Sequence, residues 1–340
     1  MKRALILCPG RGSYSKDSLG SLNGLRSAAL DVFEAMRGAA GRPGPREIDA
    51  RAKFSSAFHI RGENASSLTA AVSLADIDQI DPSRFDICGV VGNSMGWYTA
   101  LGVAGALTMS DCATLIETLG QYQIDNVVGG QIVYPLVDDE WRIDPERLSL
   151  VNQIVNQTTD LFWSIQLGGQ AVLGGTEDAL ASATSALPER LLGAHRFPLR
   201  LPLHSAFHTP LMQEASSRAL KDLQHLVWRA PSIPMVDGSG RVWRPHYADA
   251  QELRDYTLGE QVVTTFDLKD ALRTALRNLG PDVVILPGPG SNLGSAVAQT
   301  MIADRWAGID SRERFIQRQN SDPILLSMRW PDQRKRVVSP

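Results

Sequence analysis

The chain has 340 residues, of which 43% are hydrophobic and 21% charged; these are ordinary globular values and exclude wholesale disorder. With 34 Lys and Arg against 37 Asp and Glu, the net charge is −3, so the chain as a whole carries no electrostatic signature for nucleic acid. At about 150 residues per domain, the length corresponds to roughly two domains, or one large α/β body with a small addition.

Met1-Lys2-Arg3 precedes only a short apolar run, Ala4 to Cys8, so no secretory signal is expected. The chain starts as a strand over Arg3–Cys8 and runs into the loop Pro9-Gly10-Arg11-Gly12-Ser13. Apolar residues at helical spacing predict a helix over Asn23–Arg37, followed by a Gly/Pro-rich turn at 41–45. Residues 65–75 read as a small-residue helix, and Phe85–Val91 as a strand buried on both faces of a parallel sheet. Trp97–Leu107 and Ser110–Ile124 read as helices. The long apolar stretch Ile87–Met109 is broken by Gly89, Gly92, Asn93, Ser94 and Gly96, which favours strand, turn and helix over a membrane span.

The middle of the chain changes character. Strands at Gln131–Leu136, Phe162–Gln166, Gln170–Leu173 and Arg196–Leu203 alternate with helices at Pro145–Gln157 and Glu177–Ala186. That β-α-β-β-α-β order predicts a ferredoxin-like insert at 126–200. The large body is expected over 1–125 and 201–310, with helices at Pro210–His225 and Phe266–Leu279, a strand at Val283–Leu286, and a helix from Asn292. Residues 311–340, ending near Arg334-Lys335-Arg336, read as a polar, solvated tail. The fold class is α/β: a mostly parallel, α/β-hydrolase-like body with a small α+β subdomain.

Cys8, Cys88 and Cys112 cannot all pair, and no CxxC or Cys/His cluster exists. Reduced thiols, a cytoplasmic location and no structural zinc follow as expectations.

The chemistry is carried by Gly92-Asn93-Ser94-Met95-Gly96, between a buried strand and a helix. That is the setting of a nucleophile elbow. The glycines are required because a Cβ at either flanking position would strike the neighbouring strand or helix. Ser94 then stands at a helix N-terminus, where N–H groups favour developing negative charge. A serine needs a base. Of six histidines, His208 and its near rival His204 lie in Leu201–Met212 (LPLHSAFHTPLM), at a strand end where sites form in open α/β sheets.

These motifs resemble the malonyl-CoA:acyl carrier protein transacylase family. The likeness covers about residues 3–305 and rests on Pro9–Ser13, Gly92–Leu101, Ser205–Met212 and Gly288-Pro289-Gly290. It implies Ser94 as the acyl-accepting nucleophile, His208 as its base, and the backbone N–H groups of Met95 and Arg11 as oxyanion donors. A backbone carbonyl near Val263 would orient the histidine. The implied substrates are a CoA thioester and an acyl carrier protein, in fatty acid or polyketide synthesis, with no bound cofactor or metal, no membrane or nucleic-acid partner, and a monomeric enzyme.

Three departures bear on selectivity. The family holds a malonyl carboxylate with an arginine where this chain has Leu119, before Gly120. Arg11 replaces a usual glutamine, and Gln166-Leu167-Gly168-Gly169 replaces a polar stretch, which puts Gln166 among the candidate substrate residues. A leucine facing a desolvated carboxylate would cost several kcal/mol in order of magnitude, which favours a non-carboxylated acyl group. The alternative is that Arg11 takes the carboxylate from across the site. Three rivals remain: an α/β-hydrolase, which would carry its histidine nearer the C-terminus; an acyl-thioester hydrolase on the same fold; and a non-catalytic scaffold. Arg190, Arg196 and Arg200 could face an acidic carrier protein or merely be solvated.

Overall fold

The computed structural model describes residues 1–125, 127–193 and 195–339. The expected insert boundary at 126 and the last residue of the expected tail, 340, lie outside these. Two sheets organise the chain. The larger has six strands: β1 (Lys2–Cys8), β2 (Phe85–Gly92), β9 (Met235–Val236), β10 (Val242–Trp243), β12 (Val283–Leu286) and β13 (Leu325–Ser327), in the order β10-β9-β2-β1-β12-β13. Every neighbouring pair is parallel except β9–β10. The central strands are continuously apolar because helices cover both faces; Ala4 to Cys8 and Val283 to Leu286 are buried.

The second sheet is built from β3 (Gly130–Pro135), β4 (Leu161–Leu167), β5 (Gln170–Gly175), β8 (Leu199–Leu201) and β11 (Phe266–Asp267), in the order β11-β4-β5-β3-β8. Without β11 that is the antiparallel strand order of a ferredoxin-like unit, and helices Pro145–Gln157 and Glu177–Ala186 belong to it. A short hairpin, β6 (Arg190–Leu192) with β7 (His195–Phe197), stands beside it.

The differences from expectation have local causes. The single strand expected over Arg196–Leu203 is split into β7 and β8 at Pro198, which has no N–H for the ladder. The helix expected from Phe266 begins at Leu268, because Phe266 and Asp267 instead extend the small sheet beside β4. The helix expected over Asn23–Arg37 is observed at Ala28–Ala39, capped by Ser27. The segment expected as a polar tail is not one: β13 pairs with β12 at the sheet edge, and Ile324 to Met328 are buried. Arg334, expected to be solvated, forms an ion pair with the buried carboxylate of Asp76, which also accepts the Gly288 N–H. Among the described residues no helix is long and apolar enough to cross a membrane.

Candidate active site

β1, β2 and β12 are neighbours, and chain order reverses across β1, so their carboxyl ends open onto a topological switch point. β1 delivers the loop Pro9–Ser13 there, and β2 delivers the turn at Ser94. The elbow glycines behave as required. A Cβ on Gly92 would fall on the Gly96 carbonyl and the Trp97 amide, and a Cβ on Gly96 would fall on the Cys8 carbonyl. Ser94 itself is held at φ +54°, the left-handed region.

His208 also has a left-handed backbone, φ +62°, and is 1% exposed. Its amide donates to the Val262 carbonyl at 2.9 Å. The ring meets Ser94 Oγ through Nε2 at 2.7 Å and the Gln261 carbonyl through Nδ1 at 2.5 Å. With Nδ1–H donating to that carbonyl, Nε2 is left to accept the serine proton. Burial lowers the His208 pKa to about 4, against the opposing pull of the Gln261 carbonyl, so the imidazole is neutral at pH 7.

The orienting carbonyl is therefore Gln261, not Val263. A π-helical turn, Tyr256–Glu260, runs directly into Gln261, and the carbonyl it presents to Nδ1 lies two residues before Val263. Gln261 also anchors the other half of the pair: its Nε2 donates to the Ser94 carbonyl at 3.2 Å, and its Oε1 accepts from Tyr98 Oη at 2.8 Å. A backbone acceptor leaves no trace in residue type, so sequence patterns could not single it out.

Met95 precedes the helix Gly96–Val103, and Arg11 opens the 3₁₀ turn Arg11–Ser13. Amides at such starts have no intrahelical acceptor. The two starts adjoin, since a Cβ on Gly10 would lie 2.9 Å from the Asn93 carbonyl and 3.7 Å from Ser94 Cβ.

A cavity of about 540 Å³ opens beside Ser94. The small sheet gives it an apolar wall in which alternate side chains of each strand face inward: Val133, Val172, Ile165 and Leu167, Leu199 and Leu201. Leu119, 2% exposed, faces it from the helix Met109–Asp125. Gln166 does not line it, because its neighbours Ile165 and Leu167 take the inward positions of β4; this corrects its candidate role. His204 lines the cavity without bonding to Ser94. Its Nδ1 lies 2.9 Å from the Pro202 carbonyl, and burial together with the Arg11 charge lowers its pKa to about 3. Gln131 Nε2 donates to Ser164 Oγ at 2.7 Å, and Ser164 Oγ donates to the Phe207 carbonyl at 2.8 Å, tying the small sheet to the residue before His208. Arg196 and Arg200 pair with Glu189 and Glu177 on the surface.

Fold, elbow and Ser–His pair together define an α/β protein with a serine–histidine site and an inserted α+β subdomain. No family model matches the chain. It is 28% identical over 173 residues, 50% of its length and 53% of the relative's, to the malonyl CoA-acyl carrier protein transacylase of Salmonella typhimurium. It is 24% identical over 236 residues, 69% of its length and 71% of the relative's, to the Bacillus subtilis protein of the same name. By the first of these, the chain spans about half the length of the curated relatives it matches. An acyl-carrier-protein S-malonyltransferase from Burkholderia pseudomallei has the same fold, with a TM-score of 0.75 at 20% identity and 99% coverage of both chains. The resemblance to the malonyl-CoA:acyl carrier protein transacylase family is borne out by these likenesses.

Proposed function

We propose that the protein transfers an acyl group from a CoA thioester, through Ser94, to the phosphopantetheine thiol of an acyl carrier protein. The observation that carries this reading is the 2.7 Å bond between Ser94 Oγ and the neutral, buried His208 at the edge of an apolar cavity. His208 Nε2 takes the serine proton as Oγ attacks the thioester carbon. The oxyanion lies toward the Met95 and Arg11 amides. The C–S bond breaks, and CoA leaves with the proton from His208. The carrier thiol then gives its proton to His208 and attacks the acyl-serine, and Ser94 recovers a proton. None of these steps calls on a metal or redox cofactor. The buried, free thiols of Cys8, Cys88 and Cys112 agree with a cytoplasmic location.

Leu119 and the apolar side chains of the small sheet support a non-carboxylated acyl group, since at that corner no cationic side chain of the helix replaces the water a malonyl carboxylate gives up. Malonyl transfer through Arg11 is the competing reading, favoured by the guanidinium's presence in the same cavity. Intact-protein mass spectrometry after exposure to malonyl-, acetyl- and longer acyl-CoAs separates them, with Ser94→Ala as the control. The expected result is an acyl adduct from simple acyl-CoAs that is slow to hydrolyse, is discharged by carrier protein, and is absent in Ser94→Ala. Release of free acid at the rate of acylation, with no transfer product, would make the protein a thioester hydrolase instead.

A further inference from the structure

Arg11 is only 5% exposed, yet its guanidinium is incompletely satisfied. Arg11 lines the cavity; one nitrogen, Nη2, donates to the Leu203 carbonyl, and the other, Nη1, is buried with no hydrogen-bond partner among the described residues. Burial lowers the Arg11 pKa to about 9, so the group is still a cation at pH 7. A buried charged N–H without an acceptor is costly and is normally paired.

Its location is specific. Nη1 lies 3.3 Å from where a Cβ on Gly62 would be, and that same Cβ would fall on the Gly120 carbonyl. Arg11 thus reaches, from the oxyanion loop, the corner beside Leu119 on the opposite wall. Its own backbone flanks Ser94, so anything meeting Nη1 is one arginine side chain away from the thioester.

We propose that Arg11 reads the acyl group: the substrates carry a neutral acceptor oxygen close beyond the thioester carbonyl, as 3-oxoacyl and 3-hydroxyacyl thioesters do, and Arg11 Nη1 donates to it. This rests on the acyl-transfer reading above and names its substrate class. Two observations select a neutral oxygen over a carboxylate. Glu63, whose Oε1 pairs with Arg61 at 2.8 Å and whose Oε2 is buried without a hydrogen-bond partner among the described residues, already supplies negative charge to Arg11, so a second anion would enter its field. Leu119 gives a carboxylate no second donor. The apolar walls then take the rest of the chain.

The experiment compares Ser94 acylation rates from butyryl-, 3-hydroxybutyryl-, 3-oxobutyryl- and malonyl-CoA in the wild type, Arg11→Leu and Arg11→Gln. The wild type should favour the two oxygen-bearing neutral groups over butyryl by roughly tenfold or more, as expected of a charge-assisted bond made in the transition state. Arg11→Leu should bring that ratio near one, and Arg11→Gln, which keeps a donor, should retain part of it. If Arg11 only braces Leu203, all substrates slow together and the ratios stay fixed, which overturns the proposal. So does equal wild-type use of butyryl-CoA, or a preference for malonyl-CoA. Failure of every thioester to label Ser94 would instead remove the acyl-transfer reading beneath it.

Discussion

Replacing Leu119 by arginine tests how the cavity selects its acyl group. Leu119 contributes a nearly fully buried apolar side chain, and losing that burial costs about 1.5–3 kcal/mol, partly offset by the methylene stem of the arginine. The new guanidinium would share a corner with Arg11. The repulsion between two like charges in one partly buried corner is up to about 4 kcal/mol, the value for a separation of about 4 Å at an effective dielectric of about 20. The nearby acid on the same helix, Glu117, cannot relieve it, because it is held by Arg37 and Arg42 at 2.8 Å each. The cavity, about 540 Å³, has room for the longer side chain. A malonyl carboxylate would then meet a new donor, and a charge-assisted pair contributes about 1.5–3 kcal/mol, or roughly 10- to 150-fold in rate if made in the transition state. The assay is the ratio of Ser94 acylation rates from malonyl- and butyryl-CoA, with thermal denaturation confirming that Leu119→Arg is folded. The wild type should favour butyryl, and the variant should move the ratio toward malonyl by at least tenfold. A wild-type preference for malonyl, or a folded variant whose ratio is unmoved, refutes the reasoning.

Because burial holds the His208 pKa near 4, acylation should stay constant from about pH 8 to pH 5 and decline only toward pH 4; a decline centred near 6.5 would show an ordinary, solvated imidazole. The same shift acts on folding. Between about 6.5 and 4 the unfolded chain binds the proton that folded His208 refuses, so stability falls with acidification through that window; His208→Gln should lessen the dependence, with His204, whose pKa is lowered to about 3, supplying the remainder. Gly96→Ala drives a Cβ into the Cys8 carbonyl and should cost about 1–3 kcal/mol or more in denaturant unfolding; an unchanged midpoint would contradict the elbow geometry. Arg334→Ala leaves Asp76 buried with the Gly288 amide alone. Breaking a fully buried pair costs about 3–5 kcal/mol, but Arg334 is 27% exposed, so a loss of about 1–3 kcal/mol is expected, recovered in part by adding Asp76→Asn.

What could be read from the sequence divides along physical lines. The helices Pro145–Gln157 and Glu177–Ala186 and the strand Val283–Leu286 are seen as expected, since each has a strong period or apolar run and clear stop signals. Ser94 and His208 stood out because side-chain chemistry at a turn leaves a residue-type signature. The two-residue strands β9, β10 and β11 left none, because tertiary pairing rather than local propensity makes them strands. The C-terminal segment misled through composition: its polar residues surround a short buried core, Ile324 to Met328, and one of its arginines serves a carboxylate 258 positions earlier. Gln166 missed the cavity by one residue of strand phase, an error that turns a side chain to the other face.

Gln261 touches both Ser94 and His208, one through its side chain and one through its backbone; Ser94 and His208 lie in turns and Gln261 opens a short helix, all in the large body. Gln261 thus holds Ser94 and His208 together directly, and the small sheet adds only the Gln131–Ser164 link to the Phe207 carbonyl. Leu119 and the Arg11 side chain have no hydrogen bond or ion pair with Ser94, His208 or Gln261 among the described residues. In the proposed reaction Arg11 serves the oxyanion through its main-chain amide, which any residue except proline supplies, and the acyl group through its side chain. Selectivity and catalysis consequently sit on different atoms. A swap of charge from one wall to the other can change which acyl group is accepted while the serine, its base and the carbonyl behind it keep their geometry. The structure has the elements for it: a Ser94–His208–Gln261 carbonyl line beside a pocket lined by Leu119 and Arg11.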